Sequence, residues 1–276
     1  MTVVTGVAGS GKSSLITSAF EKDSHAIFID QKPAHASNRS NLLTYLNIFD
    51  DVRAFFSQQT GLKKSMFSYN SEGACPECHG KGIIKTELAF MPDFSQTCEM
   101  CGGTRYRPEV LEAKVDGYSI ADILSLTVQE AIEKFKNDKH IVQPLQALAN
   151  TGLNYMTLGQ SLDTLSGGEI QRVKLSKYLT ETVHDAIFIF DEPTTGLHED
   201  DLPILIECFN HLIDQGNTVI LIEHNLTMMT QADWFIDIGP YAGDKGGQLL
   251  YSGEPQGLLD VEQSVTAKHL RRYIEQ

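Results

Sequence analysis

A glycine-rich loop directly after a short β-branched run is the feature that most restricts the fold of this chain. Residues 2–5 (TVVT) predict a strand, residues 6–13 (GVAGSGKS) form the loop, and residues 14–20 predict a helix. The pattern G-x-x-x-x-G-K-S between a strand and a helix is typical of a loop whose N–H groups converge on phosphates. We therefore expect an α/β fold with a nucleotide site, in which Lys12 reaches the β- and γ-phosphates. The expected nucleotide-binding residues in this segment are Gly6, Gly9, Gly11, Lys12, Ser13 and Ser14.

A second predicted strand ends in two carboxylates. Residues 186–190 (AIFIF) are an apolar run typical of a buried parallel strand, and Asp191 and Glu192 follow it. An acid at this place beside a phosphate-binding loop is suited to hold Mg²⁺ together with the Ser13 hydroxyl, so we assign Ser13 and Asp191 to magnesium. Glu192 is then placed to accept a proton from an attacking water, as a general base.

Two further segments have both a structural and a functional interpretation. Ser166, three residues before Glu169, predicts a capping box at the start of a helix. With Gly167 and Gly168 between them, the same helix N-terminus is also suited to a γ-phosphate. His224 follows an apolar strand, where a histidine is either structural or catalytic.

Other strands are predicted at residues 26–30, 218–222, 234–238 and 248–252, and helices at residues 127–135 and 141–148.

Four of the five cysteines form two CxxC pairs. Cys75 with Cys78 and Cys98 with Cys101 are separated by nineteen residues, a spacing that suits four thiolates around one tetrahedral Zn²⁺. Two redox-active or coincidental CxxC motifs are the alternative. Cys208 lies in an apolar helical stretch and is expected to be a buried core thiol. Glycines that permit tight turns follow each pair: Gly80, Gly82, Gly102 and Gly103.

Composition limits the partners of the chain. Lys+Arg 22 against Asp+Glu 36 gives a net charge of −14, which argues against broad, non-specific binding of nucleic acid. Residues 52–114 contain eight basic and seven acidic residues, so this segment is about neutral and the rest of the chain carries the net negative charge. No apolar run approaches the ~18 residues of a membrane span, and no signal peptide is visible. We therefore expect a cytoplasmic protein without membrane contact.

In this order along the chain, the motifs resemble those of the ABC-type ATPases. Residues 6–13 resemble the Walker A loop, residues 165–169 the signature, and Asp191 with Glu192 the Walker B motif. Residues 195–198 resemble the D-loop. The resemblance implies that ATP and Mg²⁺ are bound, and it adds catalytic roles for Gln31, as the Q-loop glutamine, and His224, as the switch histidine, beside Glu192.

The cysteine pairs between Gln31 and the signature are not a transporter feature. Together with CPECHGKGIIKTELAFMPD, TLGQSLDTLSGGEIQRVKL and FDEPTTGLH, they resemble the C-terminal ATPase half of the UvrA family over almost the whole chain. This family recognises damage for the bacterial excinuclease. The resemblance implies an ABC-type ATPase domain at residues 1–50 and 157–276, and an inserted signature domain at residues 51–156. The inserted domain would contain a four-cysteine zinc module at about residues 72–108.

The resemblance also implies partners and a task. The task is recognition of damaged duplex DNA in nucleotide excision repair, together with UvrB, whose binding region lies in the other half of the family's members. Only five residues precede Gly6, so we expect a fragment, a truncated product or one part of a split system. ABC-type ATPases close head to tail, so that ATP lies between the Walker A loop of one half and the signature of the other. The one Walker A loop and the one signature of this chain cannot enclose an ATP between them. Hydrolysis is therefore expected to need a second ATPase half or a second copy.

Residues 34–36 (AHA) stand where the family has Ile-Gly-Arg, which removes a basic residue from the expected DNA contact. Basic residues near the cysteines stay available for phosphates: Lys81, Lys85, Arg105 and Arg107. Other interpretations stay open. They are a UvrA-like ATPase with another role such as drug self-resistance, an inactive truncated half, a zinc-binding module without activity, and a transporter ATPase, which would leave the cysteines unexplained.

Overall fold

The computed structural model of the chain describes residues 1–32, 40–86, 94–181 and 183–275, which belong to two units. Unit 1 comprises Met1–Lys32, Asn150–Gly152 and Ser166–Gln276, and unit 2 comprises Pro33–Ala149 and Leu153–Leu165. The domain boundaries predicted near residues 50 and 157 stay predictions.

Each strand and helix that the sequence analysis predicts begins and ends within two residues of an observed element, and the structure adds further elements. The described strands are β1 (Thr2–Gly6), β2 (Ala26–Ile29), β3 (Ile83–Thr86), β4 (Phe94–Thr97), β5 (Ile187–Asp191), β6 (Thr218–Ile222), β7 (Trp234–Gly239) and β8 (Gln248–Gly253). The described α-helices are α1 (Lys12–Phe20), α2 (Leu42–Tyr45), α3 (Phe49–Thr60), α4 (Pro108–Glu112), α5 (Ile120–Ser125), α6 (Val128–Lys134), α7 (Lys139–Asn150), α8 (Gly167–Thr180), α9 (Leu202–Asp214), α10 (Leu226–Met229), α11 (Pro255–Leu259) and α12 (Val265–Ile274). Within the described ranges, none of these helices has the length and apolar character needed to cross a bilayer.

Unit 1 is built on a six-stranded sheet in the order β2-β5-β6-β1-β7-β8. The first five strands in this order run parallel, as the apolar run at residues 186–190 predicts for β5, whereas β8 pairs antiparallel with β7. Asp191 at the end of β5 lies opposite Ile222 of β6, and Gly6 at the end of β1 lies opposite Ile238 of β7. The carboxyl ends of the parallel strands therefore meet at one edge, the edge at which α/β sheets bind ligands.

Both faces of this sheet are buried. Along the strands, successive residues alternate between two apolar clusters: Val3 and Phe190 belong to one, and Val4 and Ile189 to the other. Burial on both faces explains why the central strands are continuous apolar runs in the sequence. Cys208 on α9 is 4% exposed within the first cluster, as predicted, and burial raises the pKa of its thiol to about 12.

Unit 2 contains α2 to α7, the antiparallel hairpin of β3 with β4, and an aromatic core. Phe56, Phe67, Tyr69 and Tyr106 are among its fully buried side chains. The Tyr106 hydroxyl donates to the carbonyl oxygen of Phe67 at 3.1 Å, and Asn41 Nδ2 donates to the Tyr69 hydroxyl at 3.0 Å. Each buried phenol therefore has a hydrogen-bond partner, which offsets the cost of removing its hydroxyl from water.

Candidate nucleotide site and cysteine cluster

The loop between β1 and α1 has the backbone of a phosphate-binding loop. Gly6, Gly9 and Gly11 have φ angles of 137°, 74° and 96°, which side chains rarely permit. A β-carbon on Gly6 would lie 1.9 Å from the carbonyl oxygen of Ile238, so the close approach of β7 also requires glycine there. Helix α1 begins at Lys12 directly after this loop, so its first N–H groups and its dipole favour an anion at the loop.

The side chains of the loop connect it to β5. Lys12 Nζ donates to two carbonyl oxygens of the loop, at 3.0 Å each, and so lies folded over it. Ser13 Oγ donates to Asp191 Oδ1 at 3.3 Å, although 178 positions separate the two residues in sequence. Ser14, the third residue of α1, is exposed. The fold thus brings together the two residues that the sequence assigns to Mg²⁺.

Two glutamines bind the backbone of Asp191. Gln31 Nε2 donates to the Asp191 carbonyl oxygen at 3.5 Å, which is long for a hydrogen bond. Gln171 of α8 donates to the same oxygen at 2.8 Å and to the Ile29 carbonyl oxygen at 3.1 Å, so it ties the ends of β5 and β2 together. Gln171 was not among the predicted site residues. Its 2% exposure identifies it, but the sequence shows only a polar residue within a helix.

Glu192 and His224 follow neighbouring strands, β5 and β6. Glu192 has a φ of 48°, in the left-handed region, and its N–H donates to the Ile222 carbonyl oxygen at 2.9 Å. Glu192 Oε1 lies 3.8 Å from His224 Nδ1. The two side chains are 47% and 66% exposed, so both are accessible from solvent. The predicted general base and the predicted switch histidine therefore form a pair.

The N-terminus of α8 has the predicted capping box. The Ser166 hydroxyl accepts the N–H of Glu169 at 3.3 Å, and the Glu169 carboxylate accepts the N–H of Ser166 at 2.8 Å.

The two glycines of this first turn permit close contacts. A β-carbon on Gly167 would lie 2.5 Å from Gln31 Oε1. A β-carbon on Gly168 would lie 2.5 Å from the carbonyl oxygen of Thr195. Glycine thus permits the start of α8 to contact Gln31 and the turn after Glu192.

The four predicted cysteine ligands converge in unit 2. Their Sγ atoms all lie within 4.8 Å of one another, with 3.8 Å between Cys75 and Cys98 and 3.7 Å between Cys78 and Cys101. Sulfurs at the corners of a tetrahedron with Zn–S distances of ~2.3 Å would lie ~3.8 Å apart, so the cluster fits Zn²⁺. Burial raises the pKa of the Cys101 thiol to about 12, a cost of forming the thiolate that a bound cation offsets.

The turns around the cluster explain the glycines. Left-handed backbone occurs, as predicted, at Gly80, Gly82, Gly102 and Gly103. A β-carbon on Gly80 would lie 1.8 Å from the carbonyl oxygen of Tyr69, so this glycine also permits a close backbone approach. Glu77, which was not predicted to have a role, accepts the Cys98 thiol at 3.0 Å and the Met100 N–H at 3.2 Å through the same oxygen.

The basic residues near the cluster differ in their surroundings. Lys81 is exposed, whereas the Arg105 guanidinium lies 5.2 Å from the centre of the Tyr69 ring. Arg107 is half-buried, and Lys85 belongs to β3. Residues 34–36, which replace a basic motif of the resembled family, lie outside the described residues. Contact with DNA stays a prediction.

The chain is similar to a known protein family and to curated proteins. A family model described as ABC transporter matches residues 1–195. UvrABC system protein A of Staphylococcus aureus (strain COL) is 43% identical over 306 residues, covering 100% of this chain and 32% of that protein. The protein of the same name from Bacillus subtilis (strain 168) is 43% identical over 305 residues, covering 99% of this chain and 32% of its own length. The chain thus spans about a third of the length of these curated relatives.

One solved structure is similar along the whole chain. The crystal structure of UvrA2 from Deinococcus radiodurans superposes with a TM-score of 0.90 at 39% sequence identity. The superposition covers 99% of this chain and 37% of that one. Both units, including the segment with the four cysteines, therefore have a counterpart in a known structure.

Proposed function

Because this chain belongs to the ABC transporter family, we propose that it binds MgATP and hydrolyses it at the carboxyl edge of the unit 1 sheet. The observation that carries the proposal is the 3.3 Å contact between Ser13 Oγ and Asp191 Oδ1. Hard oxygen ligands of this kind are those that Mg²⁺ prefers, and they lie beside a loop whose N–H groups suit phosphates. Two motifs far apart in the sequence thus contribute to one site.

Binding uses the loop and the first turn of α1. Lys12 exchanges its two carbonyl partners for oxygens of the β- and γ-phosphates. Ser13 and Asp191 would hold Mg²⁺, which would neutralise charge on the same phosphates. Ser14 adds a polar group beside them. Backbone N–H groups complete the phosphate cradle, and their convergence depends on Gly6, Gly9 and Gly11.

Hydrolysis uses the residues that follow β5 and β6. Glu192 accepts a proton from the water that attacks the γ-phosphate, a role that requires a carboxylate near the end of the phosphate chain. His224 Nδ1, 3.8 Å from Glu192 Oε1, is placed to orient the water and the γ-phosphate. Gln31 contacts the backbone of Asp191 and can respond to the occupancy of the Mg²⁺ site.

A second ATPase half completes the site. The N-terminus of α8, which Ser166 caps, offers the N–H groups of Gly167 and Gly168 to the γ-phosphate bound by the opposite half. That half is another copy of this chain or a separate polypeptide. Head-to-tail closure in this manner is the arrangement that the ABC-type resemblance implies.

We also propose that unit 2 would hold one structural Zn²⁺. Its ligands are Cys75, Cys78, Cys98 and Cys101. Four protein thiolates leave no coordination position for a substrate, which is typical of structural and not of catalytic zinc. The Sγ separations of 3.8 Å and 3.7 Å support this assignment.

We further propose that the ATPase belongs to a UvrA-like component of an excinuclease and serves the recognition of damaged DNA during nucleotide excision repair. Similarity to UvrABC system protein A along the whole chain supports this task. Damaged duplex DNA and UvrB are the proposed partners, and the cytoplasm is the proposed location. Unit 2 would transmit the nucleotide state of unit 1 to the DNA.

The test is the Mg²⁺-dependent ATPase rate of the zinc-loaded chain, measured against protein concentration with and without damaged duplex. We expect the rate per chain to rise with concentration, because two halves must meet, and to change more with damaged than with undamaged duplex. Glu192→Gln should lower the rate by roughly 10²–10⁴-fold and retain binding of a fluorescent ATP analogue.

Separate outcomes test separate parts of the proposal. Lys12→Ala should abolish analogue binding, and equal binding by this variant would contradict the nucleotide site. A rate per chain that stays constant under strong dilution would contradict pairing. Equal responses to damaged and undamaged duplex would contradict damage recognition and leave the ATPase assignment intact.

A further inference from the structure

A buried carboxylate connects the two turns that carry Glu192 and His224. Glu223 is the residue directly after β6, and its exposed fraction is 0%. Its Oε1 accepts the N–H of Thr194 at 2.9 Å and the hydroxyl of Thr194 at 2.7 Å. Its Oε2 accepts the N–H groups of His224 at 2.8 Å and of Asn225 at 3.0 Å. One side chain thus joins the turn after β5 to the turn after β6.

This carboxylate has the partners that burial of a charge requires. A carboxylate removed from water is costly unless hydrogen bonds replace its hydration, and here four donors surround its two oxygens. The backbone N–H of Glu223 also donates to the Val4 carbonyl oxygen at 3.1 Å, which connects the same residue to β1 before the phosphate-binding loop. Glu223 therefore contacts all three segments that carry the nucleotide site on β1, β5 and β6.

The two turns that Glu223 joins carry the proposed catalytic pair. Thr194 lies two residues after Glu192, whose left-handed φ of 48° must be stabilised by its surroundings. His224 is the residue next to Glu223, and its own N–H is one of the four donors. A displacement of either turn therefore changes the hydrogen bonds of the other.

We propose that Glu223 is a positioning residue that holds the Glu192 carboxylate and the His224 imidazole in their relative orientation for hydrolysis. This inference rests on the proposed ATPase function, because it takes Glu192 as the base. Glu223 itself is buried under the turns and does not reach the substrate. Its effect belongs to the chemical step and not to ATP binding, since its side chain bonds only the turns after β5 and β6, and its contact with β1 is made by the backbone N–H.

Glu223→Gln is the main variant. Glutamine keeps the shape but replaces one acceptor oxygen by an NH₂ group, which then faces N–H donors on one of the two turns. We expect kcat to fall by roughly 10- to 100-fold, the effect of misplacing reacting groups by about 1 Å, with KM and analogue affinity within about twofold of wild type. Thr194→Val removes one hydrogen bond to the same carboxylate and should give a smaller loss of kcat.

The double variant measures whether the two residues act as one unit. Glu223→Gln with Thr194→Val should be no slower than Glu223→Gln alone, because both changes disrupt the same connection. Glu207→Gln, which removes a carboxylate from an exposed position on α9, is the matched control and should leave kcat unchanged. If Glu223→Gln fails to fold, the kcat of Thr194→Val decides the question.

Amide hydrogen exchange tests the connection without activity. Thr194→Val should raise the exchange rate of the His224 and Asn225 amides, which Thr194 does not itself bond, by at least about tenfold. An unchanged kcat in folded Glu223→Gln would overturn the proposal, and so would unchanged exchange of these amides. A wild-type chain whose ATPase is absent or insensitive to Glu192→Gln would instead overturn the proposed function, and the exchange result would still decide whether Glu223 joins the two turns.

Discussion

The nucleotide site of unit 1 and the cysteine cluster of unit 2 are assembled in different ways. The ligands of the cluster lie between Cys75 and Cys101 and are brought together by two turns and the hairpin of β3 with β4. The nucleotide site joins Ser13 to Asp191 across 178 positions, and only the order of the sheet strands brings them together. Turns and one hairpin are thus enough to bring together ligands that are close in sequence. Residues that are far apart in sequence meet only when the whole sheet has formed.

The two regions also differ in what stabilises them. The strands behind the nucleotide site are buried in two large apolar clusters. In the cluster of the four cysteines, the one packed apolar neighbour among the residues that the structure describes is Ile84. Burial of an aliphatic side chain contributes about 1.5–3 kcal/mol. With one such neighbour, apolar burial contributes little to the stability of the cysteine region. We therefore expect a bound metal to supply most of it.

Removal of the metal should have the largest effect and should separate the two regions. Zinc chelation, or Cys98→Ser, is expected to destabilise the cysteine region by on the order of 10 kcal/mol, the range for structural zinc sites. Circular dichroism and limited proteolysis should show unfolding around residues 72–108, while unit 1 still binds a fluorescent ATP analogue. One equivalent of zinc by mass spectrometry is expected in the wild type.

Cys208→Ser is the control for this prediction, because it removes a thiol that lies in the core of unit 1 and outside the cluster. It should leave the zinc content at one equivalent. Loss of ATP-analogue binding on chelation, in parallel with unfolding of the cysteine region, would show that the two regions are not separate in stability.

A backbone substitution should sharpen the comparison at the next level. Gly80→Ala forces a β-carbon to 1.8 Å from the Tyr69 carbonyl oxygen at a φ of 76°, so we expect a loss of about 2–5 kcal/mol and weaker zinc retention. Gly102→Ala is the matched variant, since it has a φ of 55° but no atom within 4 Å of the added carbon. It should cost about 1–2 kcal/mol. Competition with a chromogenic chelator measures both, and equal losses would contradict the steric argument.

The corresponding test in unit 1 is Gln171→Ala. Its loss leaves the carbonyl oxygens of Ile29 and Asp191 without this donor, which should lower the free energy of unfolding by about 1–3 kcal/mol. Because Asp191 is displaced, ATPase activity should fall while zinc content stays constant. Lys177→Ala, at an exposed position of the same helix, serves as the control in urea unfolding.

Helix caps should give the smallest and most equal effects. Ser166→Ala in unit 1 and Ser119→Ala in unit 2 each remove an N-cap hydroxyl that accepts an N–H of the first turn, from Glu169 and Asp122 respectively. Each should lower stability by ~1 kcal/mol. Thermal unfolding measures both losses of stability. If Ser166→Ala lowered ATPase activity by much more than its loss of stability explains, its hydroxyl would also contact the nucleotide.

The residue types of both candidate sites are visible in the sequence. The cysteine spacing, the loop pattern and the capping box are each set by one or two turns, so their residue types are visible in short segments. Gln171 and Glu223 were missed because a polar residue within a helix or after a strand is ordinary in a sequence. What distinguishes them is their burial, with exposures of 2% and 0%, which only packing determines.

The sequence by itself determined the local chemistry of this protein: the phosphate-binding loop, the acidic strand end, the capped helix and the two cysteine pairs. The tertiary structure alone decided which of these meet. The apolar strands satisfy the hydrophobic effect in more than one order, since burial depends on area and not on neighbour identity. The order β2-β5-β6-β1-β7-β8 places Asp191 beside Ser13 and Glu192 beside His224, and Glu223 connects the turns that follow β5 and β6.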